Sequence, residues 1–296
     1  MPGSNIQTTA GPDADLLFWQ QLVKLRQERR ACVLCTVVRT AGSTPRKRAA
    51  RMLLTAQEQW GTIGGGRVEK QVLDAARGLL SQGEAATATT LRYHLTRELG
   101  MCCGGEMEVL VEPMIPAPFL LVCGGGHIAQ ALVPLVGPLG FVPIVVEDLE
   151  ELGNAQRFPQ ATRIIDSFDP RDWHDVPLDE RSYVVIVTRD HQVDQQLLEA
   201  LLPYDLAYLG MIGSERKVRM FRQRLTNKGA SPDRLERVHA PIGLDIFADT
   251  PEEIALAIAA ELVQVRAQRR RAAGTTPARS RMAASCQLPV DEPEAT

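Results

Sequence analysis

The amino-acid sequence predicts an α/β protein in which a parallel sheet, covered by helices on both faces, follows a smaller α+β domain. Two observations carry the parallel sheet. The apolar run from Phe119 to Cys123 stops abruptly at Gly124-Gly125-Gly126 and restarts at His127-Ile128-Ala129 in a helical pattern, which is a strand, a turn of phosphate size and a helix start. Gly124, Gly126 and Ala129 fill the small positions of G-x-G-x-x-G/A: the first permits a sharp turn, the second lets backbone approach a phosphate, the third lets helix pack on strand. Beyond that helix, Phe141-Val142-Pro143-Ile144-Val145-Val146 is a second apolar run. It ends in Glu147-Asp148, near the ~20-residue offset at which a dinucleotide site places its ribose-binding acid. A strand-turn-helix-strand-acid unit of this kind is Rossmann-like; the alternative is an ordinary tight turn between strand and helix with no ligand.

Free N–H groups at the start of that helix face an anion in such a unit. His127 stands where phosphates come closest, and either donates to an anion or is hydrogen-bonded within the turn. Pro134 and Pro138 remove backbone donors and clash with the preceding turn, so the helix is expected to be short or kinked.

With 296 residues the chain is long enough for two domains, and 45% apolar with 23% charged residues is a globular composition. A net charge of −3 gives no reason to expect nucleic acid. Arg39, Arg46, Lys47, Arg48 and Arg51 cluster without an intervening acid, either to meet a phosphate or as a solvated loop, whereas Glu147 to Glu180 is mostly acidic. No apolar segment approaches the ~20 residues needed to cross a membrane, and the polar N-terminus lacks the form of a signal peptide, so the expectation is a cytoplasmic protein. Its six cysteines are then expected to be thiols.

Taken in order, residues 1–12 show no periodicity and are expected to lack structure. Leu16 to Leu25 recur at helical spacing, giving a helix to about Arg29, and Ala31 to Val38 is β-rich. Cys32 and Cys35 have C-x-x-C spacing, but positions three apart in a strand point to opposite faces, so they read as packing residues. A loop at 40–45 and a short strand at Met52–Leu54 precede Gly64-Gly65-Gly66, which opens an amphipathic helix from Arg67 to Leu80 and forms a second anion-suited junction. Strands near Thr87–Tyr93 and Glu106–Val111 bracket Leu99-Gly100-Met101-Cys102-Cys103-Gly104-Gly105. The boundaries follow: a domain over 13–113, a proline-stiffened linker over 114–118, the Rossmann-like domain over 119–271, and a tail over 272–296 without a core pattern. In the second domain a helix to about Phe158, a short strand at Arg163–Ile165 and strands at Tyr183–Val187 and Asp205–Leu209 continue the alternation. Thr188-Arg189-Asp190-His191 follows the former strand, where open α/β sheets contact ligands. Ser214 is a natural cap for a helix over Glu215–Leu225, and Thr250-Pro251-Glu252-Glu253 starts one running to about Arg270.

Six stretches together resemble the xanthine dehydrogenase accessory proteins, the XdhC/CoxI-like family. They are 42–46 (Gly-Ser-Thr-Pro-Arg), 61–69 (Gly-Thr-Ile-Gly-Gly-Gly-Arg-Val-Glu), Cys102-Cys103-Gly104-Gly105, the Gly124–Ala129 fingerprint, 208–214 (Tyr-Leu-Gly-Met-Ile-Gly-Ser) and 240–245 (Ala-Pro-Ile-Gly-Leu-Asp). The resemblance spans nearly everything from Leu34 to Arg270, and the order and spacing of the elements make it specific. It implies an often homodimeric chaperone without turnover of its own, which binds molybdenum cofactor (molybdopterin) and delivers the sulfurated form to a xanthine dehydrogenase or aldehyde oxidoreductase apoenzyme, with a cysteine desulfurase as sulfur source. Some CoxI-type relatives carry a cysteine where this chain has Arg67, which argues for the xanthine or aldehyde branch.

A carrier of a pterin dithiolene with a terminal phosphate needs phosphate-binding backbone and a soft donor near the metal. The expected cofactor-binding residues are Gly64, Gly65, Gly66, Cys102, Cys103, Gly124, Gly125, Gly126, His127, Asp148 and Gly213. Cys102 and Cys103 are the expected metal ligands, each alternatively a buried thiol beside a tight turn. No catalytic residue is assigned. The competing expectation is an NAD(P)-dependent oxidoreductase using the fingerprint, Asp148 and, as proton donor, His191; a dinucleotide-sensing regulator is a third, but no basic recognition helix is apparent.

Overall fold

The structure, a computed structural model, describes residues 6–7, 14–46, 48–95, 105–174 and 176–273. They form two six-stranded sheets that share no strand. The first contains β1 (Ile6–Gln7), β2 (Cys32–Ala41), β3 (Arg51–Leu54), β4 (Gln59–Gly61), β5 (Thr89–His94) and β6 (Glu106–Met114), in the order β1-β4-β3-β2-β6-β5. It is antiparallel except where β1 adds to β4 in parallel, a pairing not anticipated for a stretch without periodicity. Helix α1 (Ala14–Gln27) lies on one face, where Leu25 meets Cys32 and Leu53. Helix α2 (Gly66–Ser81) lies on the other, its stripe of Val68, Val72, Ala76 and Leu79 packed on Val33, Cys35 and Val37. Cys32 and Cys35 thus belong to opposite cores, as their spacing in a strand dictates, and burial pushes the Cys35 thiol up to about 12. Since β6 runs to Met114, the connection between the sheets is residues 115–118.

The second sheet contains β7 (Phe119–Cys123), β8 (Val142–Val146), β9 (Arg163–Ile165), β10 (Tyr183–Ile186), β11 (Tyr208–Met211) and β12 (Val238–His239). It is wholly parallel, in the order β12-β11-β10-β7-β8-β9, which is the doubly wound order 3-2-1-4-5-6 of a Rossmann domain. Alternate residues feed two cores: Leu121, Cys123, Val184 and Ile186 face α4 (His191–Leu201) and α5 (Glu215–Asn227), while Leu120, Val122, Tyr183 and Val185 face α3 (His127–Val136) and α7 (Pro251–Ala272). Such positions are fully buried, and each large aliphatic side chain contributes about 1.5–3 kcal/mol. A short helix, α6 (Pro232–Glu236), leads into β12. Helix α3 is short, ending two residues after Pro134. Helix α7 starts in a capping box between Thr250 and Glu253. The helix expected between Asp148 and Phe158 does not form; that stretch is a succession of turns.

Register decides what comes next. Cys123 pairs with both Val146 and Ile186, and Ile186 pairs with Met211, so four strands end level and the residues that follow them share one carboxyl edge.

Behind that edge, Glu261 of α7 holds β11 and β12 together. Its carboxylate accepts from the Tyr208 hydroxyl at 2.5 Å and the Gly243 N–H at 2.7 Å, and lies 2.9 Å from His239 Nδ1. Burial alone would raise its pKa, but the bonds from His239, Tyr208 and Gly243 outweigh burial and leave it below the ordinary value. A carboxylate depressed in the folded state contributes stability above its unfolded pKa of about 4.3 and loses it as pH falls through the folded value. Acidification below about pH 4.3 is therefore expected to remove a contribution that Glu261→Gln lacks. Thermal melts should show the variant about 2 kcal/mol less stable at pH 7 and closer to wild type at the acid end. Parallel acid limbs would count against Glu261.

Candidate functional site

The carboxyl edge of the parallel sheet gathers Gly124-Gly125-Gly126, Glu147-Asp148, Thr188-Arg189 and Ile212-Gly213, in four consecutive strand-end loops. Gly124 has φ +120°, and a Cβ there would lie 2.4 Å from the Val187 carbonyl oxygen. A Cβ on Gly125 would lie 2.5 Å from the Leu152 oxygen. These two glycines are required by the protein's own packing. Gly126 differs, since a Cβ there would meet nothing within 4 Å. It caps α3 without any side-chain hydrogen bond, so the first N–H groups of a ten-residue helix open onto free space beside the exposed His127.

Glu147 follows β8, and its side chain is 1% exposed. Its carboxylate accepts from Gly125 N–H at 2.8 Å and Leu149 N–H at 3.2 Å, and pairs with the Arg189 guanidinium. The other guanidinium nitrogen of Arg189 donates to Asp148 at 2.8 Å, and that bond holds the Asp148 carboxyl below the usual carboxylate range. Arg189, from the loop after β10, therefore reaches across the end of β7 to both acids after β8. Asp148, expected to bind a ribose, is engaged by Arg189.

Arg157 supplies the remaining cation. Its Nη2 donates to the Gly125 carbonyl at 3.1 Å, while its Nε is buried with no hydrogen-bond partner. Among the described residues no carboxylate pairs with it. A buried guanidinium nitrogen left unpaired is costly, and here it sits at the turn whose other groups could receive an anion.

Gly213 begins the neighbouring loop, where its hydrogen faces the Lys217 stem: a Cβ would lie 2.8 Å from Lys217 Cδ. Lys217 is buried; its Nζ is 2.6 Å from Asp194 and donates at 3.0 Å to the Ile212 carbonyl. Asp194, fully buried, also accepts from the Thr188 hydroxyl at 2.6 Å. His191 is exposed, with Nδ1 3.7 Å from Asp194.

The other glycine turn belongs to the first sheet. Gly64 packs on Pro45, and Gly105 packs on the carbonyls of Ala41 and Ser43, so the 42–46 and 61–69 motifs and Gly105 converge. The donors of this turn are already taken: Glu69 accepts from Ile63 N–H at 3.1 Å, Gly65 N–H at 3.0 Å and Gln59 Nε2 at 3.3 Å, and bonds the Thr62 hydroxyl. Despite partial burial, these bonds keep Glu69 below its ordinary pKa. The expected anion site at Gly64-Gly65-Gly66 is thus occupied in good part by an internal carboxylate. In the nearby basic cluster, Arg51 pairs with Asp15 at 3.5 Å and lies over Trp19, and Lys47 is outside the described residues.

Cys102 and Cys103, the expected metal ligands, also lie outside the described residues. The described thiols do not replace them: Cys32, Cys35 and Cys123 are buried, and burial raises all three. Among the described residues no cluster of His, Cys, Asp or Glu could hold a metal, and no helix is long and apolar enough to cross a membrane.

Two family patterns fall on the two sheets. Residues 25–94 match the XdhC and CoxI family, and residues 120–262 match the XdhC Rossmann domain. The uncharacterized protein YqeB of Escherichia coli K12 is 31% identical over 253 residues, covering 84% of this chain and 46% of YqeB, so the chain spans about half of that relative. A probable xanthine dehydrogenase subunit of Bacillus subtilis is 22% identical, over 84% of this chain and 97% of its own length. A crystal structure of a xanthine dehydrogenase from Bacillus halodurans shares 22% identity with a TM-score of 0.48, covering 86% of this chain and 96% of that one. With both patterns in order along one chain, each on its own sheet, this protein belongs to the XdhC/CoxI-like family.

Proposed function

We propose that this protein acts in xanthine dehydrogenase maturation, as a chaperone that holds molybdenum cofactor and passes the sulfurated form to a xanthine dehydrogenase or aldehyde oxidoreductase apoenzyme. The observation that carries the binding site is the pairing of an open Gly126 with the unpaired, buried Arg157 Nε at an uncapped helix start. A terminal phosphate fits there: Gly126 lets it approach backbone, the α3 N–H groups donate to it, and Arg157 supplies charge. His127 borders the same space. The bound group supplies the metal and the dithiolene; this chain's part is to hold, orient and release it. Family membership and the relative named as a probable xanthine dehydrogenase subunit support the partner. A soft donor to the metal is assigned to Cys102 or Cys103, a cysteine desulfurase to the sulfur supply, and a homodimer to the assembly, all three from family resemblance.

The alternative reading, an NAD(P)-dependent oxidoreductase, is favoured by the 3-2-1-4-5-6 strand order. Against it, a ribose would have to take Asp148 from Arg189.

Gly126→Val should cut molybdenum and pterin copurified anaerobically by tenfold or more, while stability changes by no more than about 1 kcal/mol, because only the cap preference is lost. Gly124→Ala should instead cost about 2 kcal/mol or more from its φ and the Val187 contact. Metal analysis, pterin fluorescence and melting curves measure these, and undiminished cofactor in the Gly126 variant would move the site elsewhere. For the alternative, calorimetry should give NAD(H) and NADP(H) dissociation constants weaker than about 1 mM. Micromolar binding lost in Asp148→Ala would reinstate the oxidoreductase.

A further inference from the structure

A separate cavity of about 420 Å³ opens at the same sheet edge, between α4 and α5 and beyond Gly213-Ser214. That volume is within the range of ~300–1,000 Å³ typical of small-molecule sites. Its walls include His191 and Gln195 of α4 and Arg216, Lys217, Met220 and Arg224 of α5, and no carboxylate lines it among the described residues. The nearby acids are spent elsewhere. Asp194 is buried on Lys217 and Thr188, and Asp190 caps α4 by accepting from Gln192 N–H at 2.7 Å. Helix α5 carries Arg216, Lys217, Arg219, Arg222 and Arg224 against Glu215 alone, and among the described residues only Lys217 of these pairs with a carboxylate. Arg224 meets a neutral group, donating to the Gln195 amide oxygen at 3.0 Å. Helix α5, of 13 residues, begins at this edge and adds the positive end of its dipole, whereas that of α4 is met by Asp190.

The spacing along α5 indicates the shape of the ligand. Arg216, Met220 and Arg224 recur every four residues, so they form one stripe roughly 12 Å long at 1.5 Å per residue. Arg216 is at the helix start, Met220 is 41% exposed in the middle, and Arg224 with Gln195 is at the far end. We propose that this cavity binds a phosphorylated heterocycle, with the phosphoryl group at Arg216 and the α5 N-terminus, the ring against Met220, and a ring carbonyl at Arg224 and Gln195. The site is distinct from the glycine turn and does not rest on the molybdenum cofactor reading.

The test is calorimetric titration of the full chain with inosine 5′-monophosphate, ribose 5-phosphate and inosine. The nucleotide is expected to bind at least tenfold more tightly than ribose 5-phosphate, and inosine more weakly than either. Arg216→Gln should weaken both phosphates tenfold or more, and Arg224→Gln only the nucleotide. Both positions are exposed, and far-UV circular dichroism checks the fold; Arg216→Lys, which keeps the charge but not the guanidinium fork, should give an intermediate loss. Gly126→Val should leave nucleotide binding unchanged, so the glycine-turn reading can fail without touching this one. No nucleotide binding by the wild-type chain, equal binding by both arginine variants, or loss in Gly126→Val would overturn the proposal.

Discussion

The Glu147 carboxylate is the constraint on which the carboxyl edge depends. A buried carboxylate is tolerated only when its oxygens are matched by donors, and Glu147 draws them from three loops: Gly125 after β7, Leu149 in its own loop, and Arg189 after β10. Parallel register brings those loops level, so one side chain can reach all three. It also shapes the stretch that follows. A Cβ on Gly153 would lie 2.9 Å from Glu147 Cβ, and Gly153 N–H closes a turn onto the Leu149 carbonyl at 2.8 Å. Folding back over the acid in this way replaces the helix that the alternating pattern predicts, and it brings Arg157 to Gly125.

The same device recurs at three further carboxylates. Glu69 satisfies the Ile63 and Gly65 N–H groups ahead of α2, Glu261 joins Tyr208, His239 and Gly243 behind the parallel sheet, and Asp194 joins Thr188 to Lys217 between α4 and α5. Each acid lies within a helix or directly beyond a strand end, and each bonds backbone or side chains from another segment. Replacing any one would strand several donors at once, which is why such groups fix geometry more than they add net stability.

The patterns legible in the sequence are those with a short period. The strands β7, β8 and β10, the junction at Gly124–Gly126, the amphipathic α2 and the caps at Ser214 and Thr250 were all readable from residues within a turn or two of one another. The opposed Cys32 and Cys35 were readable for the same reason. The clusters were not. Glu147 and Arg189 are 42 residues apart and Asp194 and Lys217 are 23 apart, and only the strand order brings them together. Asp148 was the expected ribose acid, and nothing local shows that Arg189 crosses β7 to hold it. Arg157 gave no signal, since its role depends on a loop that periodicity assigned to a helix. Two-residue strands such as β1 and β12 are too short for any pattern to register.

The two glycine triplets show why such a motif does not by itself define an anion site. In both, the glycines answer first to the packing of the chain: Gly64 to Pro45, Gly124 to Val187, Gly125 to Leu152. In both, an internal glutamate takes backbone N–H groups that a phosphate might have used. The difference lies one residue further on. At the first turn Glu69 sits on the helix that the turn opens, and its carboxylate folds back over the turn itself. At the second, Glu147 approaches from the neighbouring strand and reaches only Gly125, so the donors at the start of α3 stay clear of it. With Gly125 already fixed, Gly126 and those donors would need no rearrangement to receive the proposed anion, and Arg157 stands at the same turn with no carboxylate partner among the described residues. In the proposed site, selectivity for an anion would then reside in what the protein leaves unsatisfied at the turn, which only the folded arrangement of distant acids determines.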